Sequence, residues 1–268
     1  MKKIITTALP FLLVLALAGC KDRSMNDSVL NESSVVEIEE ETTDTYAEQI
    51  HLFVEQKDIW LQEDWGPYAA SVAIYDLDRD GILELMTTVI QGTGLYAYNN
   101  FYHADVENGC ILELKQGPEE VLEYGGLGLE LTAYGYERRD KAYVDENGRI
   151  YYPAVDYGRA GMAFCSYTEG VYYLENGVVM NQEIRSYTTD YAEDEDGVVT
   201  YYVPHKTDPV TREEWEAEYE KFIEGKEQQK INISWKDFFE EEVPSISEEE
   251  WLEILTTSWQ QGAWDLEP

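Results

Sequence analysis

The spacing of apolar residues changes character several times along this chain, and each change marks an expected element. Ala8 to Ala18 is a nearly unbroken apolar run interrupted near its start by Pro10. It is too short to span a bilayer comfortably, because a membrane helix needs about 20 apolar residues. Lys21 to Thr43 is polar and acidic with no aromatic residue, which predicts a flexible tether. A helix is expected from Thr45, whose hydroxyl can cap the backbone while Glu48, three residues on, closes a capping box. Ile50, Phe53 and Val54 then share one face, extended by Trp60 and Leu61, and that stripe should lie against a sheet.

From Ala69 to Val203 the period becomes strand-like, and one local unit recurs: Glu107-Asn108-Gly109, Glu146-Asn147-Gly148, Glu175-Asn176-Gly177 and Glu195-Asp196-Gly197. Asn-Gly and Asp-Gly accept the positive φ angles of tight turns whose twist matches paired strands, so each unit predicts a hairpin. The flanks agree, since Phe101-Tyr102, Ile111-Leu112, Ile150 to Tyr152, Val171 to Tyr173, Val178-Val179 and Val198 to Val203 are rich in strand formers. Successive turns are 39, 29 and 20 residues apart, which argues against a strict repeat array. Gly125, Gly126, Gly128 and Gly135 mark a loop or bent strand, and no G-K-[ST] ending makes them a phosphate loop.

Helical spacing returns near the end of the chain. Thr211 and Glu214 make a second capping box before Trp215, Tyr219, Phe222 and Ile223 on one face. Trp235, Phe238 and Phe239 suggest a short helical turn, and Ser247 with Glu250 forms a third box before Trp251, Ile254, Leu255 and Trp259. These aromatic faces are expected to pack the core. The fold class is therefore α+β: a central antiparallel β-meander of hairpins, flanked by an N-terminal helix and two or three C-terminal helices. One domain over 44–268 is expected, β-rich over 69–203 and helical over 209–262.

Charge narrows the partners. The chain has 55 acidic and 19 basic side chains, a formal charge of −36, which repels nucleic-acid phosphates and anionic headgroups and attracts cations. Cys110 and Cys165 stand apart from an N-terminal Cys20. An oxidising exterior would permit a disulfide between them, but their separation cannot be read from sequence.

The N-terminus has the parts of a secretory signal: Lys2 and Lys3, the apolar run, and a small-residue exit at Ala18-Gly19. Leu17-Ala18-Gly19-Cys20 resembles the cleavage box of bacterial lipoproteins, with Leu at −3, small residues at −2 and −1 and Cys at +1. The resemblance implies a signal peptide over 1–19, palmitate-type lipidation of Cys20, a tether over 20–43 and attachment to the extracytoplasmic face of the cell membrane. Several acyl chains would make that attachment stable. Losing the two positive charges of Lys2 and Lys3 would take the charge from −36 to −38.

One segment has chemistry in its spacing. Asp76-Leu77-Asp78-Arg79-Asp80-Gly81-Ile82-Leu83-Glu84 places acids at loop positions 1, 3, 5 and 9 with Gly at 6. Calcium takes six to eight hard oxygen ligands, and alternate carboxylates on a curled loop can converge on it where a Gly permits the turn. The expected ligands are Asp76, Asp78, Asp80, the carbonyl of Ile82, and Glu84. An EF-hand would carry a bidentate Glu at position 12, where Thr87 stands, and the flanks Ser71 to Tyr75 and Ile82 to Ile90 read as strands. A strand-loop-strand with an acid at position 9 resembles the calcium loops of FG-GAP and VCBS repeats over about 20 residues, without implying their propeller. Residues 69–115 also look like a group of bacterial lipoproteins in which a Tyr-rich strand precedes D-x-D-x-D-G-x-x-E-L; that likeness implies no particular activity. A calcium ion here would be structural, relieving repulsion among the carboxylates.

Catalytic signatures are thin. The chain has no G-x-S-x-G elbow and no H-E-x-x-H helix, and His51, His103 and His205 lie far apart in sequence. A thiol pair of Cys165 with His103 or His205 would need a tertiary approach. The 21 tyrosines and 7 tryptophans favour a surface binding module for an extracellular glycan or peptide. The competing class is a hydrolase of cell-wall or extracellular polymers.

Overall fold

The computed structural model describes residues 34–61, 69–91, 96–117, 126–127, 129–132, 135–138, 141–160, 163–192, 196–238 and 242–264. The expected signal segment, Cys20 and the expected tether up to residue 33 lie outside the described residues. Helices α1 (Ser34–Glu55) and α2 (Lys57–Trp60) lead into β1 (Ala69–Tyr75), β2 (Glu84–Gln91), β3 (Tyr96–Asp105) and β4 (Cys110–Glu113). Short strands follow: β5 (Lys115–Gln116), β6 (Gly126–Leu127), β7 (Leu129–Thr132), β8 (Gly135–Arg138) and β9 (Lys141–Val144). Next come β10 (Ile150–Ala160), β11 (Phe164–Glu175), β12 (Val178–Asp190), β13 (Val198–Tyr202) and α3 (Arg212–Ile223). The order ends with β14 (Glu227–Asn232), β15 (Lys236–Phe238), a 3₁₀ turn at Val243–Ser245, α4 (Glu248–Gln261) and β16 (Ala263–Trp264).

The chain is mostly β-sheet with four α-helices among the described residues, an α+β fold with antiparallel sheets. The strands divide between two large sheets instead of forming one central meander. A five-stranded sheet runs β15-β1-β2-β3-β4, and a nine-stranded sheet follows the path β13-β12-β11-β10-β9-β14-β16, with β5 on β12 and β6 on β10. Strands β7 and β8 pair by themselves. All four Asn-Gly or Asp-Gly units join antiparallel neighbours. At the tightest, Asn176 and Gly177 have φ of 53° and 72°, the paired left-handed conformation that carries β11 directly into β12.

Alternation along β1 sets the layers. Val72 and Ile74 point to one side, into a cluster with Phe53, Trp60, Trp251 and Leu255 of the helices. Ala73 and Tyr75 point to the other, where they meet Ala142, Ile150, Tyr152, Tyr172 and Val179 of the nine-stranded sheet. The same period in that sheet turns Tyr143, Tyr151, Val171 and Ile184 outward, where Tyr219, Phe222 and Ile223 of α3 cover them. The layers are thus α1 and α4, the five-stranded sheet, the nine-stranded sheet, and α3. Where β15 ends, the Ile74 amide is satisfied by Ser258 Oγ of α4 at 3.1 Å.

Three expectations change. The first helix begins at Ser34, so Thr45 is an interior residue, not a cap, and the helix takes over the end of the expected tether. Lys236–Phe238 forms strand β15, not a helical turn, because Phe238 enters the helix-side core against Trp251 at 5.1 Å while its backbone pairs with β1; Trp235 precedes the strand and Phe239 lies outside the described residues. The C-terminal part over 209–262 is accordingly mixed: α3 and α4 with their capping boxes as expected, and β14 and β15 added to both sheets. Cys110 and Cys165 are free thiols, one on each large sheet.

Trp251 is fully buried, edge-on to Trp60 at 5.1 Å. Trp251→Ala is expected to cost about 3–5 kcal/mol, the usual penalty for emptying an aromatic core site. Urea denaturation checks this; a loss below about 1 kcal/mol would mean that α4 does not close the core.

Candidate metal centre

The acidic loop is the β1–β2 connection, between the paired residues Tyr75 and Glu84. Two left-handed residues fold it, Arg79 at φ 64° and Gly81 at φ 89°. That curl returns the backbone amides over Asp76, whose Oδ1 accepts from Asp80 N–H and Oδ2 from Gly81 N–H, both at 3.1 Å. Leu77 N–H donates to Glu84 Oε2 at 2.8 Å, closing the loop from its far end.

Neighbouring elements hold the loop. Gln49 of α1 is buried and uses both ends of its amide: Nε2 donates to Gly81 O at 3.0 Å, and Oε1 accepts from Leu83 N–H at 2.6 Å. Tyr152 of β10 donates its hydroxyl to Leu77 O at 2.6 Å, and Arg79 reaches Gln229 of β14 at 2.7 Å. The loop is therefore a junction of α1 and both sheets.

Three of the five expected ligands converge. Oxygens of Asp76, Asp78 and Glu84 lie within 4.8 Å of one another, a group that could hold a metal ion. Asp80 is outside this trio; its Oδ1 accepts the Ile82 amide at 2.8 Å, and Ile82 itself is exposed. Thr87, at the EF-hand's twelfth position, is a buried β2 residue opposite Val72 and Asn100.

Electrostatics adds to the geometry. Glu84 is only 2% exposed, and burial pushes its pKa well above the ordinary carboxylate range, with the Asp78, Asp76 and Asp80 charges adding and the Leu77 amide opposing. Asp76 is raised by burial and by Asp80 and Asp78, against backbone donors. Asp78 is raised by burial and by Asp80. At about 5 Å and an effective dielectric constant of about 20, each pair of like charges costs a few kcal/mol.

Among the described residues no hydrogen bond joins Cys165 to a histidine. Cys165 takes a hydrogen bond from the Tyr157 hydroxyl at 3.1 Å, which pushes the Tyr157 pKa up to about 12. His51 is exposed on α1, His103 is opposite Glu84 on β3, and His205 approaches Glu218 at 3.7 Å. Gln49 and Tyr152 escaped the sequence reading, because neither carries a charge or motif that ties it to a distant loop.

A pH dependence follows for the metal-free protein. A carboxyl whose folded pKa exceeds its unfolded value destabilises the fold once ionised; the penalty is absent below the unfolded pKa of about 4.3 for Glu and grows as pH rises toward the folded value. Glu84→Gln should therefore raise the metal-free thermal midpoint by a few degrees at neutral pH, with the gain shrinking on acidification. Melting curves across pH test this, and a gain that does not vary with pH would show that Glu84 does not titrate in this way. No protein-family model matches the chain, and neither the curated proteins nor the solved structures contain a match to it, so the centre rests on its own geometry.

Proposed function

We propose that this chain is a lipid-anchored extracytoplasmic lipoprotein whose folded part is a surface binding module, stiffened by one structural calcium ion in the Asp76–Glu84 loop. The observation that carries the calcium reading is the convergence of Asp76, Asp78 and Glu84 at the junction of α1 and both sheets, with Glu84 buried. A cation there neutralises charges that otherwise repel, and binding that occurs only in the folded loop contributes its free energy to folding. Millimolar external calcium fills even a weak site of this type. The resemblance to FG-GAP and VCBS loops supports calcium over other cations.

The anchor reading rests on Leu17-Ala18-Gly19-Cys20 and the signal before it. Among the described residues no helix is long and apolar enough to cross a membrane. The charge of −36 makes nucleic acid an unfavourable partner and leaves an extracellular glycan or peptide as the ligand class. A purified full chain screened on glycan and peptide arrays tests the binding reading, and silence on both removes it.

Calcium at about 100 times its Kd is expected to stabilise the fold by about 2.7 kcal/mol, and Asp78→Asn to lose most of that gain. A thermal midpoint that does not move on adding calcium removes the metal assignment. Separately, Cys20→Ala should release the chain from the membrane fraction and abolish incorporation of labelled palmitate. Unchanged retention in that variant would remove the anchor.

A further inference from the structure

The nine-stranded sheet ends at β13, and this edge differs from the others. Edge strands are normally blunted by shortness, charge, Pro or a bulge, because their unpaired backbone groups invite another strand. The five-stranded sheet ends in β15, three residues with Lys236 and Asp237, and in β4, which closes on Glu113. β16 is only two residues long. β13 is Val-Val-Thr-Tyr-Tyr, all strand formers and none charged.

Backbone direction shows which groups face outward. Val210 N–H donates to Tyr201 O at 2.9 Å, an isolated antiparallel bridge on the side of β13 away from β12. With a period of two, Val199 turns its N–H and C=O to that same outer side. Among the described residues the bridge at Tyr201 is the only pairing on this edge, and the segment that makes it turns into α3 at Arg212, so the part left to an incoming strand begins at Val199.

The side chains around this edge are apolar and exposed. Val198 and Val199 are 43% and 42% exposed, Tyr191 43% and Phe164 37%, half of the large exposed hydrophobics among the described residues. Phe164 and Val198 both pair with Asp190, so the three form one row across β11, β12 and β13. Asp196 and Asp208 are exposed on either side of the strand in sequence, and the whole chain carries −36. A chain of that net charge repels a second copy and attracts cations.

We infer that the outer edge of β13 is a docking edge for an extended, lysine- or arginine-bearing peptide segment, which adds to the nine-stranded sheet as a further strand. Main-chain hydrogen bonds to Val199 supply the register, the exposed Val, Tyr and Phe side chains supply apolar contact, and the net negative charge of the chain favours a basic sequence. The inference rests on the reading of the domain as a binding module and names the partner and the surface.

The test uses the full chain in non-ionic detergent and two fluorescent peptides of about eight residues, one alternating Lys-Val-Thr-Val and one Glu-Val-Thr-Val. The Lys peptide should bind, and the Glu peptide about tenfold or more weaker, with added salt narrowing the gap. Val199→Pro removes an outward amide without taking a hydrogen bond from β12, and it should weaken the Lys peptide about tenfold at an unchanged melting temperature. Val199→Ile keeps both the amide and an apolar β-branched side chain and should bind like wild type. Independently of any variant, saturating Lys peptide should slow hydrogen exchange at the Val199 amide of the wild-type chain. Equal binding to wild type and Val199→Pro, or no protection of Val199, overturns the inference, as does an edge-mediated dimer that Val199→Pro returns to monomer. A glycan captured on the array by a chain that fails these tests removes the docking edge and leaves the binding module standing.

Discussion

The structure depends on the burial of the five-stranded sheet on both faces. Helices α1 and α4 cover one side and the nine-stranded sheet the other, so β1 and β2 have no solvent face along most of their length. That explains why Ala-Ala-Ser-Val-Ala-Ile-Tyr is nearly continuous in apolar character and does not alternate apolar with polar. It also explains the position of the acidic loop. The chain leaves this double layer at Tyr75 and re-enters at Glu84, and so brings carboxylates to the margin of a core that cannot solvate them.

The loop is consequently more than a turn. Its backbone is satisfied partly by its own acids and partly by Gln49, Tyr152 and Gln229, which arrive from α1, β10 and β14. Loop, helix and the second sheet share hydrogen bonds, so a change that orders one orders the others. Charge repulsion within Asp76, Asp78, Asp80 and Glu84 opposes that order, and a cation reverses its sign. Position and electrostatics thus place a group that could hold a metal ion at the junction of the layers.

The far side of the molecule is built from aromatic rings. Tyr157, Tyr167, Tyr187 and Tyr201 pair in one row across β10, β11, β12 and β13, with Tyr167 and Tyr187 stacked at 4.8 Å. Trp215 of α3 meets Tyr187 and Tyr201, and Arg185 lies 3.8 Å from the Trp215 ring while pairing with Glu169 at 2.8 Å. Cross-strand aromatic pairs of this kind stabilise a ribbon without a second sheet beneath it. Through Tyr201 they tie β13 to β12 and α3 at the sheet's end. Among the described residues, Tyr143, Tyr151, Tyr167, Tyr173, Tyr187 and Tyr201 are thus packed against one another or against α3.

By itself the sequence determined what is local. Asn176-Gly177 can hardly be anything but a tight turn, because the left-handed conformation excludes most other residues; Thr211 with Glu214 and Ser247 with Glu250 start helices within a single turn of chain. Asp76, Asp78 and Glu84 were legible as candidate ligands for the same reason, since their spacing along one curled loop brings them together. Only the tertiary structure decided which hairpins share a sheet, that Phe238 lies in a strand beside β1, and that Gln49 and Tyr152 reach the loop. These depend on contacts between residues tens of positions apart, whose free energy comes from burying one apolar face against another, and a pattern along the chain records that a face is apolar without recording what covers it.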